Sequence, residues 1–107
     1  MDKLLQRSLY YDFYAELLTE KQRNTFKMYY LDDFSLQEVA EQNGGTRQAV
    51  NLLLKRTEKI LEGYETKLHL VEKHMLKQDK VNAVGKLVVH TEHEMQIREL
   101  LNEILQL

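Results

Sequence analysis

Not one proline occurs in the 107 residues, and only four glycines do. Tight turns between strands depend on those two residues, so an all-β fold is hard to build from this chain. Leu, Glu, Lys, Gln, Arg, Ala and Met, the strong helix formers, make up 62 of the 107 positions. The expected fold class is therefore all-α, as a single small domain's length of chain. There is no cysteine, which excludes a disulfide scaffold, a thiolate metal site and a thiol nucleophile. No apolar run approaches the roughly 18 residues of a membrane span. The polar start at Met1-Asp2-Lys3 is unlike a signal peptide. These features point to a soluble, cytoplasmic protein with no membrane partner.

The net charge of −2 conceals an asymmetry. Residues 46–86 carry nine Lys/Arg against five Asp/Glu, whereas 1–45 and 87–107 are each acidic by three charges. A basic middle between acidic ends can mark a surface for phosphates or an acidic partner, although charge counting alone favours a solvated, lysine-rich helix face.

Capping signals divide the chain. Leu5, Leu9, Phe13 and Leu17 recur every four residues, with Leu4, Tyr11, Tyr14 and Leu18 widening the face, and predict a first helix over about 2–18. Thr19 with Gln22 and Ser35 with Glu38 have capping-box spacing and open the next two helices. Asn43-Gly44-Gly45 ends the third, and Thr46 caps a long periodic stretch from Val50 to Met75. As one helix over 47–78 that stretch would run about 48 Å, so it either breaks, with Gly63 the obvious place, or projects. Asp79 is a candidate cap for a further helix. Thr91 with Glu94 forms a third box, opening a last helix with Ile97, Leu100, Leu101, Ile104 and Leu105 inward.

The informative window is 35–56, SLQEVAEQNGGTRQAVNLLLKR: a short helix, a glycine turn and a longer helix. That is helix-turn-helix spacing. Ala40 is small where the helices meet, Gly44 permits the turn, and Val50 and Leu54 face the core. Thr46 caps the second helix, and Arg47, Gln48, Asn51 and Lys55 fall on its outer face. Arg and Gln there suit base edges, and Lys55 and Arg56 suit phosphates. The candidate DNA-binding set is Thr46, Arg47, Gln48, Asn51, Lys55 and Arg56. An ordinary αα-hairpin with a polar outer face is the competing reading.

The pieces Phe13-Tyr14-Ala15-Glu16-Leu17-Leu18-Thr19-Glu20-Lys21-Gln22, Tyr29-Tyr30-Leu31-Asp32-Asp33-Phe34-Ser35-Leu36, Ala40-Glu41, Arg47-Gln48-Ala49-Val50, Lys55-Arg56-Thr57-Glu58-Lys59-Ile60-Leu61-Glu62, Tyr64-Glu65 and Lys67-Leu68-His69 occur in that order. Over about half its length the chain thereby resembles the YlxM-type family of Gram-positive bacteria and mycoplasmas. The resemblance implies a helical bundle related to the DNA-binding region four of sigma factors, and a regulatory link to the signal recognition particle pathway. It departs from the family at Asn43 and Gly45, where apolar residues usually pin the turn, so a looser turn is expected. It also departs at Leu52 and Leu53, where the family tends to be polar. Leu53 can flank the buried stripe. Leu52 points toward the face that would meet DNA, where it could touch a thymine methyl or a protein.

Other clusters carry little chemistry. His90 and His93 lack the metalloprotease spacing and a third ligand. Glu58, Glu62 and Glu65 look like surface pairs with Lys55 and Lys59. Tyr10, Tyr11, Tyr14 and Tyr64 could stack single-stranded RNA but fit core packing better. No nucleophile–base pair supports an enzyme, and no cofactor or metal site is expected. The expected function is a helix-turn-helix DNA-binding regulator. The alternative is an adaptor that binds the signal-particle GTPase or its RNA. Residues 1–66 form the expected helix-turn-helix domain and 67–107 a C-terminal helical extension packed with it. The extension's apolar final helix is expected to build a homodimer.

Overall fold

The computed structural model describes residues 2–107, and among them every regular element is helical. The helices are α1 (Lys3–Tyr14), α2 (Glu20–Phe26), α3 (Leu36–Asn43), α4 (Arg47–Leu68), α5 (Leu70–Leu87) and α6 (Glu94–Gln106). The chain divides into two compact units, one ending at His69 and one spanning Leu70–Leu107.

In the first unit, α1, α2 and α3 each pack on α4. The Asp2 carboxylate accepts from the Leu4 N–H and caps α1. That helix stops sooner than the leucine spacing predicts. At Ala15–Leu17 it tightens into a 3₁₀ turn, and Leu18 is extended. The inward face turns accordingly. Tyr14, Ala15 and Leu18 are buried, while Leu5, Phe13 and Leu17 of the expected stripe are exposed. Aromatic residues take their place: Tyr11 stacks on Phe26 at 6.0 Å, and Tyr14 lies against Tyr64 at 5.8 Å. Core packing thus accounts for these tyrosines.

Both of the first two capping boxes form, with side chain and backbone bonded reciprocally at Thr19/Gln22 and Ser35/Glu38. After Phe26 the chain loosens into a π turn over Lys27–Leu31, closed by Asp32 N–H on the Lys27 carbonyl. A Lys27–Asp32 ion pair of 2.8 Å spans it, and that hydrogen bond raises the lysine's pKa. The turn brings Met28, Tyr29 and Tyr30 against the core of Val39, Ala40, Val50 and Leu54.

α4 runs straight through Gly63. The break comes six residues later, at His69, whose φ of 55° and ψ of 29° are left-handed. Beyond Gly63, the Tyr64 hydroxyl donates to the Leu17 carbonyl and the Tyr14 hydroxyl donates to Glu65. Those anchors reward continuing the helix and outweigh the roughly 1 kcal/mol that glycine costs it.

The second unit is an α5–α6 hairpin. Asp79 is interior to α5 and caps nothing. The third box does not form either. α6 starts at Glu94 after His93, whose side chain makes no cap. The Thr91 hydroxyl donates back to the Val88 carbonyl, and Glu94 accepts from the His90 N–H instead. His90 sits at φ 62°, so the turn consumes the residues that the box would have used. That N–H, followed by Arg98, holds the Glu94 carboxyl below its ordinary pKa. Arg98 also donates to the Gly85 carbonyl at 2.9 Å, tying α6 to α5. No helix among the described residues is long and apolar enough to cross a membrane.

Candidate nucleic-acid interface

α3, the turn and α4 form a helix-turn-helix. Val39 and Ala40 on α3 meet Val50 and Leu54 on α4, all four buried. Gly44 and Gly45 take φ of 78° and 96°, a region that side chains rarely enter, so a side chain at either position would strain the turn. The turn is not left unpinned. The Asn43 amide donates to Thr25 Oγ1 at 3.3 Å and to Met28 Sδ at 3.6 Å. Polar contacts with α2 and the π turn thus hold the end of α3. Thr46 is extended, and its hydroxyl accepts from the Ala49 N–H at 3.1 Å, capping α4.

Thr46, Arg47, Gln48, Asn51, Lys55 and Arg56 are all exposed, as is Leu52. Their directions differ. Taking about 100° per residue, the buried Val50, Leu54, Thr57 and Leu61 define the inward side of α4. Gln48, Leu52 and Lys59 then lie within about 30° of directly outward, and Lys55 and Arg56 about 50° to either side. Asn51 stands near the edge of that face. Arg47 is turned furthest from its centre and is exposed at the first turn.

Two shallow grooves flank this line. Leu52, Lys55, Arg56 and Lys59 share one of about 460 Å³ with Glu58 and Glu62. Leu52, Leu53 and Arg56 share the other, of about 250 Å³, with Lys21 of α2 and the Gly44-Gly45 turn. Lys59 and Lys21 therefore extend the basic surface beyond the residues picked out by sequence. Lys59 could have been found by continuing the helical spacing. Lys21 carries no local signal, because only the packing of α2 brings it there.

Lys55, Arg56 and Lys59 outnumber Glu62, the exposed carboxylate of their groove, so the face favours an anion. Among the described residues no carboxylate pairs with Lys55, Arg56 or Lys59. Glu58, expected to pair with a lysine on its own helix, instead accepts from Arg7 of α1 at 2.8 Å. Tyr30 donates to its other oxygen at 3.3 Å, and the Arg7 guanidinium lies 4.1 Å from the Tyr30 ring centre. Burial, then Glu58, pushes the Tyr30 pKa up, which keeps it a donor. Glu65 is likewise engaged, by the Tyr14 hydroxyl. In α3, Glu38 is held below its ordinary pKa by the Ser35 backbone N–H first and the Ser35 hydroxyl second. Among the described residues no three His, Asp or Glu are grouped to hold a metal ion.

An all-α bundle whose exposed polar helix follows a glycine turn defines a helix-turn-helix protein. The chain belongs to the family described as "Putative helix-turn-helix protein, YlxM / p13 like", whose model matches residues 1–103. A relative from Thermoanaerobacter sp. (strain X514) is 43% identical over 106 residues, covering 96% of this chain and 91% of its own. One from Streptococcus agalactiae is 48% identical over 77 residues, covering 72% and 70%. One from Streptococcus pyogenes is 38% identical over 102 residues, covering 95% and 88%.

Proposed function

We propose that this protein is a cytoplasmic, non-enzymatic regulator that reads duplex DNA with α4. The observation that carries the reading is the outward face of that helix, where Gln48, Lys55, Arg56 and Lys59 stand exposed and without a carboxylate partner. Gln48 addresses base edges, with Asn51 at the edge of the face and Arg47, which the sequence put on that face, reaching round from the exposed first turn. Lys55, Arg56, Lys59 and Lys21 address phosphates, and Thr46 holds the helix start in position. The family resemblance extends the reading to regulation connected with the signal recognition particle. The working species is a homodimer built from residues after about 66, since paired recognition helices match half-sites about 34 Å apart.

Binding of random and selected duplexes, followed by fluorescence anisotropy against salt, tests this. Each phosphate contact releases condensed counterions, so Lys55→Ala weakens every duplex alike and lowers the salt slope by about 1. Arg47→Ala or Gln48→Ala costs roughly 1–3 kcal/mol at preferred sites alone. Undiminished binding by the Arg47, Gln48, Asn51 and Lys55 quadruple alanine variant removes this face from the account. Recovery of a GTPase or an RNA from nuclease-treated lysate, with no duplex bound, replaces DNA reading by the adaptor role.

A further inference from the structure

We infer that Leu52 is a specificity-determining residue that reads the C5-methyl group of a thymine. This rests on the proposal that α4 reads duplex DNA. Leu52 is 50% exposed and lies about 10° from the direct outward line of α4. A leucine at that place is the first side chain to meet whatever the helix approaches. Among the described residues it is the one exposed large apolar side chain on α4 before Leu68. Leu68 is 16 residues further on, about 24 Å along the axis.

The surroundings of Leu52 decide what it contacts. Gln48 lies one turn before it, Lys55 and Arg56 one turn after, and Lys59 one turn beyond those. A protein-docking surface would offer several adjoining apolar side chains over a few hundred Å². Here Leu52 is the one large exposed apolar side chain, with only Ala49 and the half-buried Leu53 adjoining it on the α2 side, and Gln48, Lys55, Arg56 and Lys59 surround it along the outward line. A polyanion with one apolar group at the matching place is the complementary partner. In the major groove, thymine is the base that presents a methyl group among hydrogen-bonding edges. Gln48 is on the same outward line, four residues or about 6 Å before Leu52, which spans roughly two base-pair steps. Glutamine pairs bidentately with adenine N6 and N7. The face is thus suited to a thymine within about two base pairs of an adenine, with flanking phosphates held by Lys55, Arg56 and Lys59.

Replacing thymine by uracil removes the methyl group and keeps every hydrogen-bonding atom. Duplexes selected from a random pool by the full chain are resynthesised with dU in place of dT, one position at a time. At one position the exchange weakens binding about three- to fivefold, the worth of one buried methyl. Leu52→Ala binds the dT and dU duplexes equally and stays folded, with its salt slope unchanged, because the side chain is half exposed and touches no phosphate. Duplex binding with no dU-sensitive position, or the same sensitivity in Leu52→Ala, overturns this inference and leaves DNA reading intact. Absence of any duplex binding by the unmodified chain overturns both. Loss of a protein partner in Leu52→Ala, with DNA binding unchanged, assigns Leu52 to a protein contact and overturns it as well.

Discussion

Glu58 sits one residue from Lys59 and three from Lys55, yet its charge is directed away from the basic face. Arg7 and Tyr30 each occupy one of its oxygens, and the Arg7–Glu58 pair is roughly three-quarters buried on both sides. The pair joins α1, the π turn and α4 in one polar contact and neutralises Glu58, whereas Glu62 stays exposed beside the reading face. Removing one partner leaves the other partly buried and unpaired. Glu58→Ala is therefore expected to destabilise the protein by about 1–3 kcal/mol, read as a lower urea midpoint. The Arg7→Ala/Glu58→Ala double variant should lose less than the sum of the two single losses, because both remove one interaction. Equal or greater loss in the double variant would show the pair to be energetically independent. Nothing local in the sequence marks Arg7 as the partner of Glu58. Its partner is 51 residues away, and helical spacing pointed Glu58 at its own helix.

Among the elements, those closed by short-range chemistry were legible and those set by tertiary contact were not. Thr19/Gln22, Ser35/Glu38 and Thr46 each satisfy an N–H group three residues away, whereas Thr91/Glu94, with the same spacing, fails because the turn at His90 takes both of its side chains. Gly44 and Gly45 mark their turn by the φ that they adopt. The inward face of α1 depends instead on which side chains find partners on α2 and α4, so Tyr14 is buried where Leu17 is not. Gly63 signalled a break that Tyr64 and Glu65 override. Conversely, the left-handed break falls on His69, which no breaker residue announces. The exposed face of α4 was legible from periodicity, but its centring on Leu52 and Lys59 required knowing which side was buried. The Ser35–Glu38 box also has a pH signature. With its folded pKa below the ordinary value, Glu38 adds stability that is present in full above its unfolded pKa, about 4.3, and is lost as pH falls through the folded value. Glu38→Gln keeps the box's geometry and removes that titration. Its melting temperature should consequently fall less than that of the unmodified chain between pH 5 and about pH 3. Parallel melting curves across that range would assign the acid sensitivity to other groups.

For the whole molecule the open quantity is its copy number. Described on its own, the α5–α6 hairpin holds 38 residues, and none of the residues of α6 is fully buried. Chains below about 40 residues rarely sustain a core without a further partner. Leu100 and Ile104, 58% and 50% exposed, lie one turn apart on α6 and form an uncovered apolar strip. Leu101 and Leu105, about 100° further round the helix, line a groove of about 440 Å³ with Val81, Gly85 and Arg98. The two sides of α6 thus call for different variants. Leu101→Glu would place a charge within the hairpin and confound unfolding with dissociation. Leu100→Glu leaves the hairpin's own contacts in place. In a two-fold dimer each substituted charge occurs twice across a self-complementary interface, so one change acts on both faces. The unmodified chain is expected to sediment as a dimer of 12.8 kDa subunits at micromolar concentration. Leu100→Glu should sediment as a folded monomer with unchanged helical circular dichroism. Its affinity for a two-half-site duplex should fall while single half-site binding stays the same, because paired engagement raises the effective concentration of the second helix. A compact monomer for the unmodified chain would refute the dimer and confine DNA reading to a single half-site.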